Sequence, residues 1–164
     1  MTDIDGARAE FERALEDTAN ADDAYRALQV LADAVVGTKL FTVMTVDKDG
    51  GVARRAYSSD PDSYPASGTK PIVHNEWFEG VSRKRQVFVA NTLGDIAKVF
   101  PDHELIGSLG CGSVINLPVF VDDTFVATVN LLHEEHRYTD ERVALAKSFI
   151  LAAGERVMRR NFSA

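Results

Sequence analysis

The stretch from Leu105 to Glu134, LIGSLGCGSVINLPVFVDDTFVATVNLLHE, decides the fold. It holds two apolar runs, SVINLPVFV and FVATVNLLH, separated by Asp122, Asp123 and Thr124. Both are rich in Val, Ile, Leu and Phe and too short to span a membrane, so each predicts a buried strand. The acidic pair suits a tight turn, because Asp carboxylates bond nearby backbone N–H groups. The unit is a core hairpin, entered through a glycine-rich turn at Gly107, Gly110 and Gly112. Asn116 and Asn130 interrupt the apolar runs. A buried amide needs hydrogen-bond partners, so both positions call for an explanation.

Upstream, Ile4, Ala7, Phe11, Ala14, Leu15 and Thr18 fall on one helical stripe. A second helix is predicted from about Asp22 to Val36, with Gly37 as its stop. Leu40 to Val46 and Val52 to Ser58 read as strands joined by the turn DKDGG. Strict alternation along the second places Arg55 and Tyr57 on one face and Arg54 and Ala56 on the other. Ser59 to Val73 is a long irregular loop, of the kind that is either functional or mobile. A short helix over His74–Arg83 carries Trp77, Phe78 and Val81. A strand over Gln86–Asn91 and a helical turn over Asp95–Phe100 lead to the hairpin. After it, Thr139 caps a long C-terminal helix whose acidic start and basic end match the helix dipole. Hairpins dominate this order, so the fold class is α+β, with helices packed on a mainly antiparallel sheet. The organisation is one domain over residues 22–160. Residues 1–21 form a helix that could serve as a dimer arm, and 161–164 form a tail.

Composition narrows the function classes. The 164 residues include 18 basic and 25 acidic ones, a net charge of −7 with no compensating basic run. That argues against a nucleic-acid partner. No signal peptide or membrane span is visible, and a single cysteine is compatible with a reducing compartment. The expected setting is cytoplasmic, without a membrane partner.

The hairpin GSVINLPVFVDDTFVATVNLLH resembles that of GAF domains, small-ligand-binding relatives of the PAS fold. Ser113, Pro118, Asn130 and His133 stand where the family pattern expects such residues, over a match of roughly Ala24 to Val157. The turn lacks the family's usual glycine, and Ala127 stands where Gly is common. RAYSSDPDSYPASGTKP is similar to a subgroup of stand-alone bacterial members. The resemblance implies an antiparallel sheet of about six strands with terminal helices on one face. It places a ligand pocket on the other face, roofed by the connection from Ser59 to Gly112. Family members bind cyclic nucleotides, tetrapyrroles, amino acids, 2-oxoacids, aromatic compounds or haem. Some stand-alone members reduce free methionine sulfoxide through a relay of cysteines, which this chain's lone Cys111 cannot form.

Two readings of function follow. In the first, the chain binds a small polar or aromatic metabolite and acts as a sensor or regulator through a partner, as a homodimer joined by its terminal helices. Arg55, Tyr57, Tyr64, Lys70, Trp77 and Asn116 are the expected ligand-binding residues. Aromatic rings supply flat surface, and the polar groups fix an anionic or amide-bearing ligand. As given, the chain leaves no room for an output domain. In the second reading the fold is a small-metabolite enzyme, with Cys111 or His133 as catalytic candidates. For every one of these residues a purely structural role is the competing interpretation. No metal site is expected, since an extended HEEH segment would point its histidines to opposite faces. The sequence names no cofactor.

Overall fold

A computed structural model describes residues 3–47, 49–66 and 68–162. Lys48 of the expected DKDGG turn, Ser67 of the long loop and the last two residues of the expected tail lie outside the described residues. Two helices open the chain, α1 (Ile4–Glu16) and α2 (Ala21–Val35). The strands β1 (Leu40–Asp47), β2 (Val52–Ser58) and β3 (Thr69–Pro71) follow. Three short helices, α3 (Glu76–Ser82), α4 (Leu93–Ala97) and α5 (His103–Ser108), come next, with β4 (Phe88–Ala90) between the first two. The hairpin is β5 (Ser113–Val121) and β6 (Thr124–His133). The C-terminal helix runs from α6 (Asp140–Leu145) through a π-helical turn (Ala146–Ile150) into α7 (Leu151–Phe162). Asn161 of the expected tail therefore belongs to a helix.

The six strands form one antiparallel sheet in the order β3-β2-β1-β6-β5-β4, so the hairpin sits at its centre. Its turn is built by Asp122 and Asp123, both at positive φ (50° and 65°), the conformation that matches a right-handed strand twist in a two-residue connection. The long loop contributes the unforeseen β3, which pairs with Val52–Arg54 at the sheet edge, where Pro71 leaves no central ladder bond unmade.

Period-2 alternation divides the sheet into two faces. Phe41, Val43, Ile115, Leu117, Val129 and Leu131 point to the side covered by α2 and the C-terminal helix and form the main core with Leu28, Leu31, Ile150 and Val157. Asn20 caps α2 by accepting from the Asp23 N–H at 2.9 Å, and Gly37 ends the helix at φ +97°. α1 lays Phe11 and Leu15 into this same core. Of the stripe that suggested a dimer arm, Phe11 and Leu15 are thus buried in the chain's own core, Ile4, Ala7 and Thr18 are half-buried and Ala14 is exposed. On the opposite face, α3, α4 and α5 cover the sheet less completely, with two smaller apolar clusters, one around Ile96, Ile106 and Leu132 and one around Phe78 and Phe125.

Candidate functional site

Between the second face of the sheet and the short helices lies a cavity of about 450 Å³. Its floor is made by Thr42 and Met44 of β1, Asn116 of β5, and Thr128 and Asn130 of β6. Its walls are apolar, with Ile72, Trp77, Ile96, Phe100 and Leu132 among them. Trp77 meets Phe100 edge-on, with ring centroids 5.5 Å apart. Such a mixture, mostly apolar with a few placed polar groups, is the usual make-up of a small-molecule site.

The two strand asparagines form a polar ladder across the floor. The Trp77 Nε1–H donates to Asn116 Oδ1 at 3.1 Å, Asn116 Nδ2 donates to Asn130 Oδ1 at 2.7 Å, and Asn130 Nδ2 donates to Thr42 Oγ1 at 3.1 Å. Cross-strand register produces this row: Asn116 faces Asn130, and Asn130 faces Thr42. Bonding across three strands satisfies amides that would otherwise be costly to bury. Thr128, 1% exposed, stands two residues along β6 on the same face, and its hydroxyl has no hydrogen-bond partner among the described residues. Its neighbours across the sheet, Pro118 and Met44, offer none.

A charged cluster sits at one end of the cavity. Arg55 lies over the Tyr64 ring, 3.7 Å from its centroid, donates to the Pro65 carbonyl at 2.8 Å and pairs with Asp102 at 3.5 Å. The Tyr64 hydroxyl also donates to Asp102. Burial, then the Asp102 carboxylate, pushes the Tyr64 phenol well above its ordinary range, so it stays a neutral donor. These contacts tie the long loop to the start of α5. Lys70 extends from β3 beside them and is exposed.

Of the expected ligand-binding residues, the structure brings Arg55, Tyr64, Lys70, Trp77 and Asn116 to the cavity. Tyr57 goes elsewhere. A bulge shifts the β1–β2 register, so that Met44 faces Arg55 while Val43 faces Tyr57. The extra residue, Ala56, reverses the alternation and turns Tyr57 into the helix-side core, where it lies against Tyr25 and Phe41 and donates to Gln29.

The two catalytic candidates also lie off the cavity. Cys111 is 3% exposed among Leu40, Ile106 and Val114, and burial raises its thiol pKa, the reverse of activation. His133 faces the helix side, its ring edge-on to Tyr138 and its Nδ1 accepting from the Glu134 N–H at 2.8 Å. Burial first, then Arg137, lowers its pKa. Among the described residues no group of three His, Cys, Asp or Glu is placed to hold a metal ion.

Sequence reasoning passed over Thr42, Thr128 and Asp102. Period-2 alternation from Asn130 already puts Thr128 on its face. Thr42 and Asp102 depend on strand register and loop packing, which no local pattern carries.

The model of the GAF domain matches residues 20–155. The chain belongs to the GAF domain family. Solved structures agree with this fold. The GAF domain of a phosphoenolpyruvate-protein phosphotransferase from Coxiella burnetii is 12% identical, with 96% of this chain and 94% of that one covered and a TM-score of 0.69. The phycoerythrobilin-bound GAF domain from a cyanobacterial phytochrome is 12% identical over 99% of both chains, with a TM-score of 0.69. Free methionine-R-sulfoxide reductase from Neisseria meningitidis, in complex with its substrate, is 18% identical, with 98% of this chain and 93% of that one covered and a TM-score of 0.66. At these identities the GAF likeness establishes the fold alone. No curated protein matches the sequence at a significant level.

Proposed function

We propose that this GAF domain binds a small, ring-bearing polar metabolite in the cavity between its sheet and α3–α5, and acts as a cytoplasmic sensor or regulator that passes occupancy to a partner. The observation that carries this reading is the cavity itself: about 450 Å³, aromatic and aliphatic on its walls, with a row of placed amides and hydroxyls on its floor. Arg55, Tyr64, Lys70, Trp77 and Asn116 are its proposed ligand-binding residues. That a cyanobacterial relative holds phycoerythrobilin and a Neisseria relative its substrate is consistent with such a use of the fold. Catalysis through Cys111 or His133 finds no support in their placement, since neither reaches the cavity.

Homodimerisation through the terminal helices is the remaining part of the proposal. It rests on the outer surface of α2, where Val30 stands 55% exposed. Sedimentation of a dilute sample tests it, and a monomer removes it.

Trp77, the single tryptophan, reports on the cavity directly. Native mass spectrometry of freshly purified protein should show a bound small molecule that denaturation releases, and ring-bearing metabolites should change Trp77 emission. A protein whose emission and melting temperature ignore a broad set of such compounds would overturn the reading.

A further inference from the structure

The hydrogen-bonding polarity of the cavity assigns a ligand class; this step rests on the reading of the cavity as a small-molecule site. An indole N–H only donates, so Trp77 fixes the orientation of the Asn116 amide with its oxygen toward the ring. The direction of every later rung follows from that one. Asn130 uses its oxygen for Asn116 and its nitrogen for Thr42 and the Thr128 carbonyl. Asn116 keeps one N–H. Thr42, having accepted from Asn130, keeps its O–H to donate. The Thr128 hydroxyl has no partner among the described residues. At the charged end, Arg55 and Lys70 donate and carry positive charge; Tyr64 and Arg55 both bond the same Asp102 oxygen, Oδ2, and Arg54, Arg55 and Lys70 together outweigh its single negative charge.

Donors with capacity left therefore stand at both ends of an aromatic-walled space, and positive charge exceeds negative at one of them. We propose that the cavity selects a planar organic acid that also bears a ring acceptor: its ring lies against Trp77 and Phe100, its carboxylate meets Lys70 and Arg55, and its ring oxygen or nitrogen accepts from the Thr128 hydroxyl. A flat amine in the place of the acid would set its cation against Arg55 and Lys70, where positive charge exceeds that of Asp102. The unmatched Thr128 hydroxyl is then a specificity determinant, since a buried polar group left unpaired discriminates strongly between ligands that do and do not satisfy it.

Three probes of nearly one shape test this by calorimetry and Trp77 emission. Chromone-2-carboxylate has both the acid and a ring carbonyl, 2-naphthoate lacks the ring carbonyl, and 2-(aminomethyl)chromone replaces the acid with a cation. Chromone-2-carboxylate should bind tightest, by about five- to tenfold over each of the others. Thr128→Val should lower its affinity to that of 2-naphthoate and leave 2-naphthoate binding unchanged. The free variant should melt no lower than the parent, because an unmatched hydroxyl has been removed. Should that variant fold poorly, the exposed Lys70→Met decides instead: it should weaken both acids and not the amine. Equal binding of all three probes, or a Thr128→Val protein with unaltered selectivity, overturns the proposal while leaving the cavity a binding site. If none of the three binds but another ring compound changes Trp77 emission, the acid class alone is wrong. Silence toward compounds of every charge refutes the underlying reading as well.

Discussion

Asn130 occupies the middle of the floor ladder, with Asn116 on one side and Thr42 on the other. Replacing it with Leu keeps the volume but strands the Asn116 N–H and the Thr42 hydroxyl in a buried, apolar setting. Each buried group left unpaired costs about 1–3 kcal/mol, so Asn130→Leu should destabilise the domain by roughly 2–4 kcal/mol in urea unfolding. A loss below about 0.5 kcal/mol would show that the ladder is dispensable to the apo fold. His133 gives a prediction of a different kind. Its folded pKa lies below the ordinary value, from burial first and then Arg137. The unfolded chain therefore binds more protons than the folded one between the two values, and stability rises with pH across that window. The contribution is complete above about pH 6.5 and is lost as pH falls through the lower folded value. Protonation would also remove the Nδ1 lone pair that accepts from Glu134. Between pH 7 and pH 5 the melting temperature of His133→Gln should fall less than that of the parent; parallel curves would refute the assignment.

At the scale of elements, the hairpin was legible because composition and turn chemistry agree within one short stretch. Its turn still departs from the optimum: Asp122 and Asp123 both adopt positive φ, which Asn-Gly or Asp-Gly sequences tolerate best. Asp123→Gly should stabilise the protein by about 0.5–1 kcal/mol, read as a higher urea midpoint with unchanged slope. The ion pair it removes, with Arg85, joins side chains 91% and 51% exposed and offsets little of this gain. A lower midpoint would mean that this surface pair outweighs the strained backbone. The β1–β2 hairpin shows where legibility stops. Its strands were readable from β-branched and aromatic residues, but the bulge at Ala56 was not, because an alanine there differs in no visible way from an alanine in register. That one residue decides whether Tyr57 joins the cavity or the core. The edge strand β3 was hidden for a related reason. Three exposed residues ending in Pro71 have no strand signal of their own and are ordered by pairing with β2.

Across the whole molecule, what the sequence revealed were features made by local pattern: the α+β class, the helix faces and the core hairpin. What it hid were features made by meeting of distant segments: the cavity floor, the Arg55–Tyr64–Asp102 cluster and the burial of α1 against its own chain. The same division predicts how stability is distributed. The helix-side core is continuous from α1 to the C-terminal helix, whereas α3, α4 and α5 rest on two small clusters above a cavity. Segments with few buried apolar contacts open locally at lower free energy than a continuous core. Amide exchange should therefore be faster over α3–α5 and β3 than over α2, β1, β5 and β6. A ligand in the cavity contacts floor and roof together, so it should slow exchange most in the roof and leave the helix-side core nearly unchanged. At one hundred times its dissociation constant it should add about 2.7 kcal/mol of global stability. Protection appearing instead over α1 and α2, with the roof unaffected, would place the ligand on the other face of the sheet.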